Sequence, residues 1–186
     1  HLEYWGRRNQ DYIDICNRMS LPGAIPHEVD GNTQSAVKRW LSTTGDSIQD
    51  CHHLFWMGDL NYRLNDMDRD RVLKLSTSND YDSLMRTDQL TLSMFMRTAF
   101  VDYCEPQICF PPTFKYQHGT DKFDKQRTPA YCDRILWRRG GGVIQSIVYD
   151  SPPLYLSDHK PVVALVLFGV QRIDSVSFKK CHQQAL

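Results

Sequence analysis

Leu2, Trp5, Tyr12, Cys16 and Met19 recur near helical spacing, while Asp11 and Asp14 fall off that stripe. Residues 3–18 therefore read as an amphipathic helix that packs on a core and stops before Pro22. Residues 20–33, punctuated by Pro22, Gly23, Pro26, Gly31 and Asn32, read as a loop, and a short helix is expected over 34–42. Positions 54–57 form an unbroken apolar run closed by Gly58, the pattern of a strand buried on both faces. Residues 68–76 and 80–96 have helical spacing, with Leu84, Leu92 and Phe95 directed inward. Further strand-like runs lie at 108–110, 135–137, 144–149 and 162–167, and Gly140 to Gly142 reads as a hairpin turn. Strands and helices mix in one chain without repeats or low-complexity tracts, so an α/β (α+β) layered architecture is expected.

Composition narrows the function classes. A chain of 186 residues suits one domain. The 22 basic and 22 acidic side chains cancel, which argues against a protein that holds nucleic acid through overall charge. The balance is not uniform: Lys115, Lys122, Lys125, Arg127, Arg134, Arg138 and Arg139 outnumber Asp121, Asp124 and Asp133 between positions 113 and 139, where an anionic ligand would dock. Six scattered cysteines form no Cys-x-x-Cys pair, which points to neither a zinc site nor a disulfide framework and fits a reduced, cytoplasmic compartment. No run is long and apolar enough for a membrane span, so any membrane contact is expected to be peripheral. The proline-bounded apolar stretch 21–25 is one place for it, with a buried loop as the equal alternative.

Three blocks carry reactive groups at strand ends: Phe55-Trp-Met-Gly-Asp-Leu-Asn-Tyr-Arg63, Arg127-Thr-Pro-Ala-Tyr-Cys-Asp-Arg134 and Ser157-Asp-His-Lys-Pro161. Together they suit the hydrolysis of a phosphate ester, which requires an activated water and neutralised phosphoryl charge. Asp59 can accept the water's proton. Asn61, pointing the same way in an extended chain, can orient Asp59 or donate to a phosphate oxygen. A protonated His159 supplies charge, Asp133 is a candidate to orient it, and Asp158 can bind a metal or its water. Each block alone also has a plain structural reading, as a turn leaving a strand or as a surface loop. His52 and His53 are expected to pack or lie at the surface, and Cys132 has no partner that would make it a nucleophile.

In combination these residues resemble the inositol polyphosphate 5-phosphatases, whose two signatures are similar to Phe55 through Arg63 and to Arg127-Thr-Pro-Ala-Tyr-Cys-Asp-Arg-Ile-Leu136. Arg8-Asn-Gln-Asp-Tyr12, Asp88-Gln-Leu90, Phe110-Pro-Pro-Thr-Phe-Lys-Tyr116 and Ser157-Asp-His-Lys-Pro161 agree as well, and the group most resembled is that of the type II and Lowe-syndrome enzymes. The resemblance covers about residues 1–170 as the C-terminal portion of a catalytic domain and leaves 171–186 as a tail or linker. It implies the four-layered sandwich of the endonuclease/exonuclease/phosphatase superfamily. It also implies Mg2+-dependent removal of the 5-phosphate from phosphoinositides at a membrane surface or from soluble inositol polyphosphates. In that scheme Asp59 is the water-activating base, Asn61 assists at the phosphate, Asp133 orients His159, and Asp158 belongs to the same catalytic shell and reaches the metal. Lys115, Lys125 and Arg127 grip the neighbouring 4-phosphate.

The chain departs from the family pattern at three places. Phe114 stands where many relatives have Tyr, which removes one hydroxyl contact to the second phosphate. The segment from Lys115 to Arg127 is shorter than its counterparts. His1 matches the second histidine of an Asn-x-His-Leu-Ala-Ala-His stretch, which implies that the main glutamate ligand of the metal lies upstream and that these 186 residues alone are weakly active or inactive. Two other classes compete: a nuclease of the same superfamily, disfavoured by the zero net charge and the second signature, and a non-catalytic phosphoinositide-binding module.

Overall fold

The computed structural model describes residues 4–21, 46–48, 51, 53–138 and 143–169. Helix α1 (Trp5–Arg18) begins the described chain, followed by two short strands, β1 (Ser20–Leu21) and β2 (Asp46–Ser47), which pair antiparallel. Strand β3 (Leu54–Asp59) leads into three helices, α2 (Arg69–Thr77), α3 (Tyr81–Met85) and α4 (Gln89–Phe95). Then come β4 (Tyr103–Cys104), β5 (Asp133–Arg138), β6 (Ile144–Asp150) and β7 (Val163–Phe168). One sheet has the order β3-β5-β4, and a second joins β6 to β7 with a bulge between Ser146 and Val148; every pairing is antiparallel.

Each of the three helices after β3 starts at an aspartate. Asp68, Asp80 and Asp88 accept the backbone N–H of Arg71, Ser83 and Thr91, which satisfies an amide that the first helical turn leaves free. Asp88 also explains why 80–96 is two helices rather than the single one expected. The break lets Leu64 pair with Asp88 and lets the Gln89 N–H reach the Arg63 carbonyl at 2.9 Å, so the loop after β3 is tied to the start of α4. With the helical phase reset at Gln89, Leu90 and Ser93 turn inward and Phe95 is left 84% exposed, against the expectation that it faces the core.

Two apolar clusters divide the interior. Tyr12, Tyr62, Leu90, Phe100, Tyr103 and Leu136 pack between α1 and the β3-β5-β4 sheet, and Leu64, Val72, Leu84, Ile108, Phe110 and Tyr131 pack beneath α2 and α3. Strand β3 is less buried than its composition suggests. Among the described residues it pairs only with β5, and Met57 is 62% exposed. Residues 108–110 form no strand, although Ile108 and Phe110 are buried. Of the loop expected over 20–33, Ser20 and Leu21 form strand β1 instead; the rest of it, the expected helix over 34–42 and the segment Gly140 to Gly142 lie outside the described residues. The strands that flank Gly140 to Gly142 are not partners of each other, so they do not form the expected hairpin: β5 pairs with β3 and β4, and β6 with β7.

A buried ion cluster locks these parts together. Arg134, 1% exposed, donates to Asp88 at 2.7 Å and clasps both oxygens of Glu105, which also accepts the Tyr149 hydroxyl from β6. Burial opposes the guanidinium's charge, but the two carboxylates more than offset it and raise its pKa well above the ordinary value. Replacing Arg134 by Met in the intact protein strands two carboxylates in the interior. It is expected to cost about 3–5 kcal/mol, read as a lowered denaturant midpoint; an unchanged midpoint would contradict the structural role of this cluster.

Candidate active site

Antiparallel pairing of β3 with β5 puts the last residue of one opposite the first residue of the other, so Asp59 and Asp133 are register partners. The pairing continues one step beyond the strands, where the Leu60 N–H donates to the Cys132 carbonyl at 2.7 Å. Gly58, at φ +139°, permits a backbone turn that a side chain would resist just before Asp59. Asn61 sits at φ +58°, a left-handed conformation that asparagine tolerates better than most residues. The chain is therefore not extended from Asp59 to Asn61, as had been expected. The contact between them is the Asn61 backbone N–H on the Asp59 carboxylate at 3.0 Å, while the Asn61 amide oxygen accepts from Arg63 Nη2 at 2.5 Å.

His159 arrives from the connection between β6 and β7 and meets Asp133. Its Nδ1 lies 2.9 Å from Asp133 Oδ2 and 3.2 Å from Oδ1. The residues that hold it there form a narrow ladder around Phe114, whose N–H and carbonyl both bond to Ala130 while Phe114 also pairs with His159. On either side of that pairing the Lys160 N–H donates to the Thr113 carbonyl and the Tyr116 N–H to the Asp158 carbonyl, each at 2.8 Å. Two further side chains adjoin this pair: Thr113, which the sequence did not single out, and Phe114, which it did as a residue of the second phosphate's site. The Thr113 hydroxyl donates to Asp133 Oδ2 at 2.6 Å, and the Phe114 ring lies 4.6 Å from the imidazole. A threonine after two prolines carries no signal of such a bond, because the ladder that aims it is formed with residues 17 to 47 positions away.

Lys115, Arg127 and Arg63 line a cleft of about 390 Å³ together with Phe114. Asp59 and Asn61 border a separate recess of about 630 Å³, and Asp133 and His159 border one of about 300 Å³. Lys125 is exposed and does not line the cleft, so of the three cations expected there only Lys115 and Arg127 are brought to it. The Arg127 backbone is anchored by its N–H on the Asp124 carboxylate at 2.7 Å.

Asp158 is ion-paired with Lys115 at 3.3 Å. Partial burial works against its ionisation, but the Lys115 hydrogen bond and the nearby charge of His159 hold it below the usual carboxylate range. Among the described residues no three His, Cys, Asp or Glu side chains converge as a metal site, so this donor set does not by itself fit a complete Mg2+ centre. Burial pushes the Cys132 thiol up to about 12, which leaves it inert, in line with the sequence reading. His53 accepts a surface role: its Nε2 lies 2.7 Å from the Gly169 carbonyl and its ring rests on Phe168.

Residues 2–165 match Endonuclease/Exonuclease/phosphatase family 2. The type II inositol 1,4,5-trisphosphate 5-phosphatase of Mus musculus is 37% identical over 99% of this chain, which spans 17% of that protein. The type I inositol polyphosphate 5-phosphatase 2 of Arabidopsis thaliana is 40% identical over 90% of the chain, which spans 24% of it. Among solved structures, the inositol polyphosphate 5-phosphatase domain of spsynaptojanin, in complex with inositol (1,4)-bisphosphate and calcium ion, superposes with a TM-score of 0.72 at 29% identity, covering 95% of this chain and 46% of that one. A Cimex nitrophorin ferrous NO complex superposes with a TM-score of 0.57 at 36% identity, covering 61% of this chain and 40% of that one. The mixed sheets and helices described above thus carry the expected superfamily fold. The chain belongs to the endonuclease/exonuclease/phosphatase family, among the inositol polyphosphate 5-phosphatases.

Proposed function

We propose that this chain is the part of a 5-phosphatase catalytic domain that activates water, stabilises the transferring phosphoryl group and holds the phosphate next to it. The substrates are phosphoinositides such as PI(4,5)P2 or soluble inositol polyphosphates. The reading is carried by one observation: Asp59 and the Asp133–His159 pair stand at the facing ends of two hydrogen-bonded strands. Asp59 takes a proton from the attacking water as the new P–O bond forms and the ester P–O bond breaks, and the departing inositol oxygen takes a proton from solvent to leave as the alcohol. Asp133 fixes the imidazole through Nδ1, leaving Nε2 of a protonated His159 to donate to a phosphoryl oxygen as charge builds there. Asn61 turns its amide N–H groups to the same phosphate, since its oxygen is already held by Arg63. Lys115 and Arg127 take the neighbouring 4-phosphate, and Phe114 contributes a ring face where a tyrosine would add a hydroxyl.

Mg2+ is the cation we propose, supported by the calcium ion in the spsynaptojanin complex, with Asp158 as this chain's contribution. Such an ion would supply Lewis-acid stabilisation of phosphoryl charge. The enzyme would meet lipid as a peripheral protein on the cytoplasmic side of membranes. A second reading, phosphoinositide binding without turnover, is favoured by the absence of a converging metal site among the described residues. The nitrophorin superposition adds that this fold is also found in a protein solved as an NO complex.

In the intact protein with magnesium, Asp59→Asn and His159→Ala are each expected to lower kcat by at least about a hundredfold. Near-normal turnover in either variant would sink the assigned role. Arg127→Ala should raise KM more for substrates that bear a 4-phosphate than for those without one, and equal changes on both would refute the grip.

A further inference from the structure

Arg63 forms a shared wall between the two parts of the candidate site. It borders the recess that holds Asp59 and Asn61 and also the cleft that holds Lys115 and Arg127. Its backbone is immobilised by buried Gln89: the Arg63 N–H donates to the Gln89 amide oxygen at 3.1 Å, and its carbonyl accepts the Gln89 N–H at 2.9 Å. Its guanidinium stacks on Phe114 with Cζ 4.5 Å from the ring centroid, and the same ring meets the His159 imidazole and lies 6.0 Å from Lys115 Nζ. One Nη2 hydrogen bond goes to Asn61 Oδ1, and Nε is buried with no acceptor among the described residues. A planar fork of N–H donors is thus fixed in place with most of its capacity unused, and a buried donor without a partner is costly unless a ligand supplies one.

We infer that Arg63 binds substrate at both phosphates of a vicinal pair, holding the reacting phosphate and its neighbour on the adjacent ring carbon with one guanidinium. This deepens the 5-phosphatase reading and rests on it for the identity of the reacting phosphate. The same residue acts as a positioning group for Asn61. By occupying the amide oxygen it commits the amide nitrogen to donate outward, the orientation that a phosphate oxygen requires. Stacking on Phe114 keeps the fork in register and leaves its N–H edge, not its face, available for anions. Where a tyrosine would offer one neutral hydroxyl, the Phe114 face instead aligns a cation.

The test uses the intact protein, magnesium and soluble inositol phosphates that carry a 5-phosphate with or without a 4-phosphate. Arg63→Lys keeps the charge and the aliphatic stem but loses the fork. It should lower kcat/KM about tenfold on the vicinal substrate and under about threefold on the other. Arg63→Gln combined with Asn61→Ala should lose less than the two single losses together predict, because Asn61→Ala already removes the part of the Arg63 effect that runs through the amide and leaves only its direct phosphate contacts to lose. Equal losses on both substrates, or a fully additive cycle, would overturn the inference. Arg63→Lys carries the test alone should Arg63→Gln fail to unfold cooperatively. Calorimetric binding of the same inositol phosphates separates the two claims. A protein that turns over nothing, yet loses its preference for vicinal phosphates in Arg63→Lys, refutes the phosphatase reading and upholds this one.

Discussion

The buried charge cluster of Arg134 with Asp88 and Glu105 is the constraint on which the site's geometry depends. Successive side chains on a strand point to opposite faces, so Asp133 and Arg134 at the start of β5 must divide between site and interior. Arg134 takes the interior, where it grips the cap of α4 and the loop after β4, and Glu105 extends the grip to Tyr149 on β6. A guanidinium with two carboxylates in a dry interior has few alternative arrangements, because any slip leaves a charge uncompensated. Sliding β5 by one residue would turn Arg134 outward and Asp133 inward together. The height of Asp133 against Asp59, and with it the seat of His159, is set by a group that touches no substrate.

That coupling separates what was legible in the sequence from what was not. The strands that end at Asp59 and begin at Asp133 were visible as short apolar runs, and His159 lies, as read, in the segment that leads into the apolar run of β7. Their meeting was not visible, since it depends on β3 and β5 pairing end to end and on the Phe114 ladder joining segments far apart in the chain. The single helix expected over 80–96 failed for the same kind of reason. Periodicity ran straight through Asp88, while a tertiary partner, Arg134, and a capping bond to Thr91 decided that a new helix begins there. Asn61 shows the limit of local rules most clearly: an extended chain would have aligned its side chain with that of Asp59, but a positive φ turns it toward Arg63 instead.

Charge tells a similar story at a different scale. Net neutrality over the whole chain conceals a cleft whose described lining brings Arg63, Lys115 and Arg127 together, with Asp158 paired to Lys115 from outside it. Counting charges along the sequence located this region but chose its members imperfectly. Lys125 falls inside the basic window and outside the cleft, whereas Arg63, more than fifty positions upstream, lines it.

The stack of Arg63, Phe114 and His159 joins these two levels. A cation over one part of an aromatic ring and an imidazole near the same ring share a surface that neither can leave without exposing it, so the guanidinium of the cleft and the imidazole beside Asp133 are held by one neutral side chain. Two positive groups brought this close in solvent would repel. Here both rest against the same ring, and the Asp133 carboxylate, 2.9 Å from Nδ1, places a negative charge beside the imidazole. An arriving phosphate would then draw both cations toward itself rather than force them apart. The ring at position 114 therefore does more than lack a hydroxyl contact: it is the surface against which the Arg63 guanidinium and the His159 imidazole are both packed.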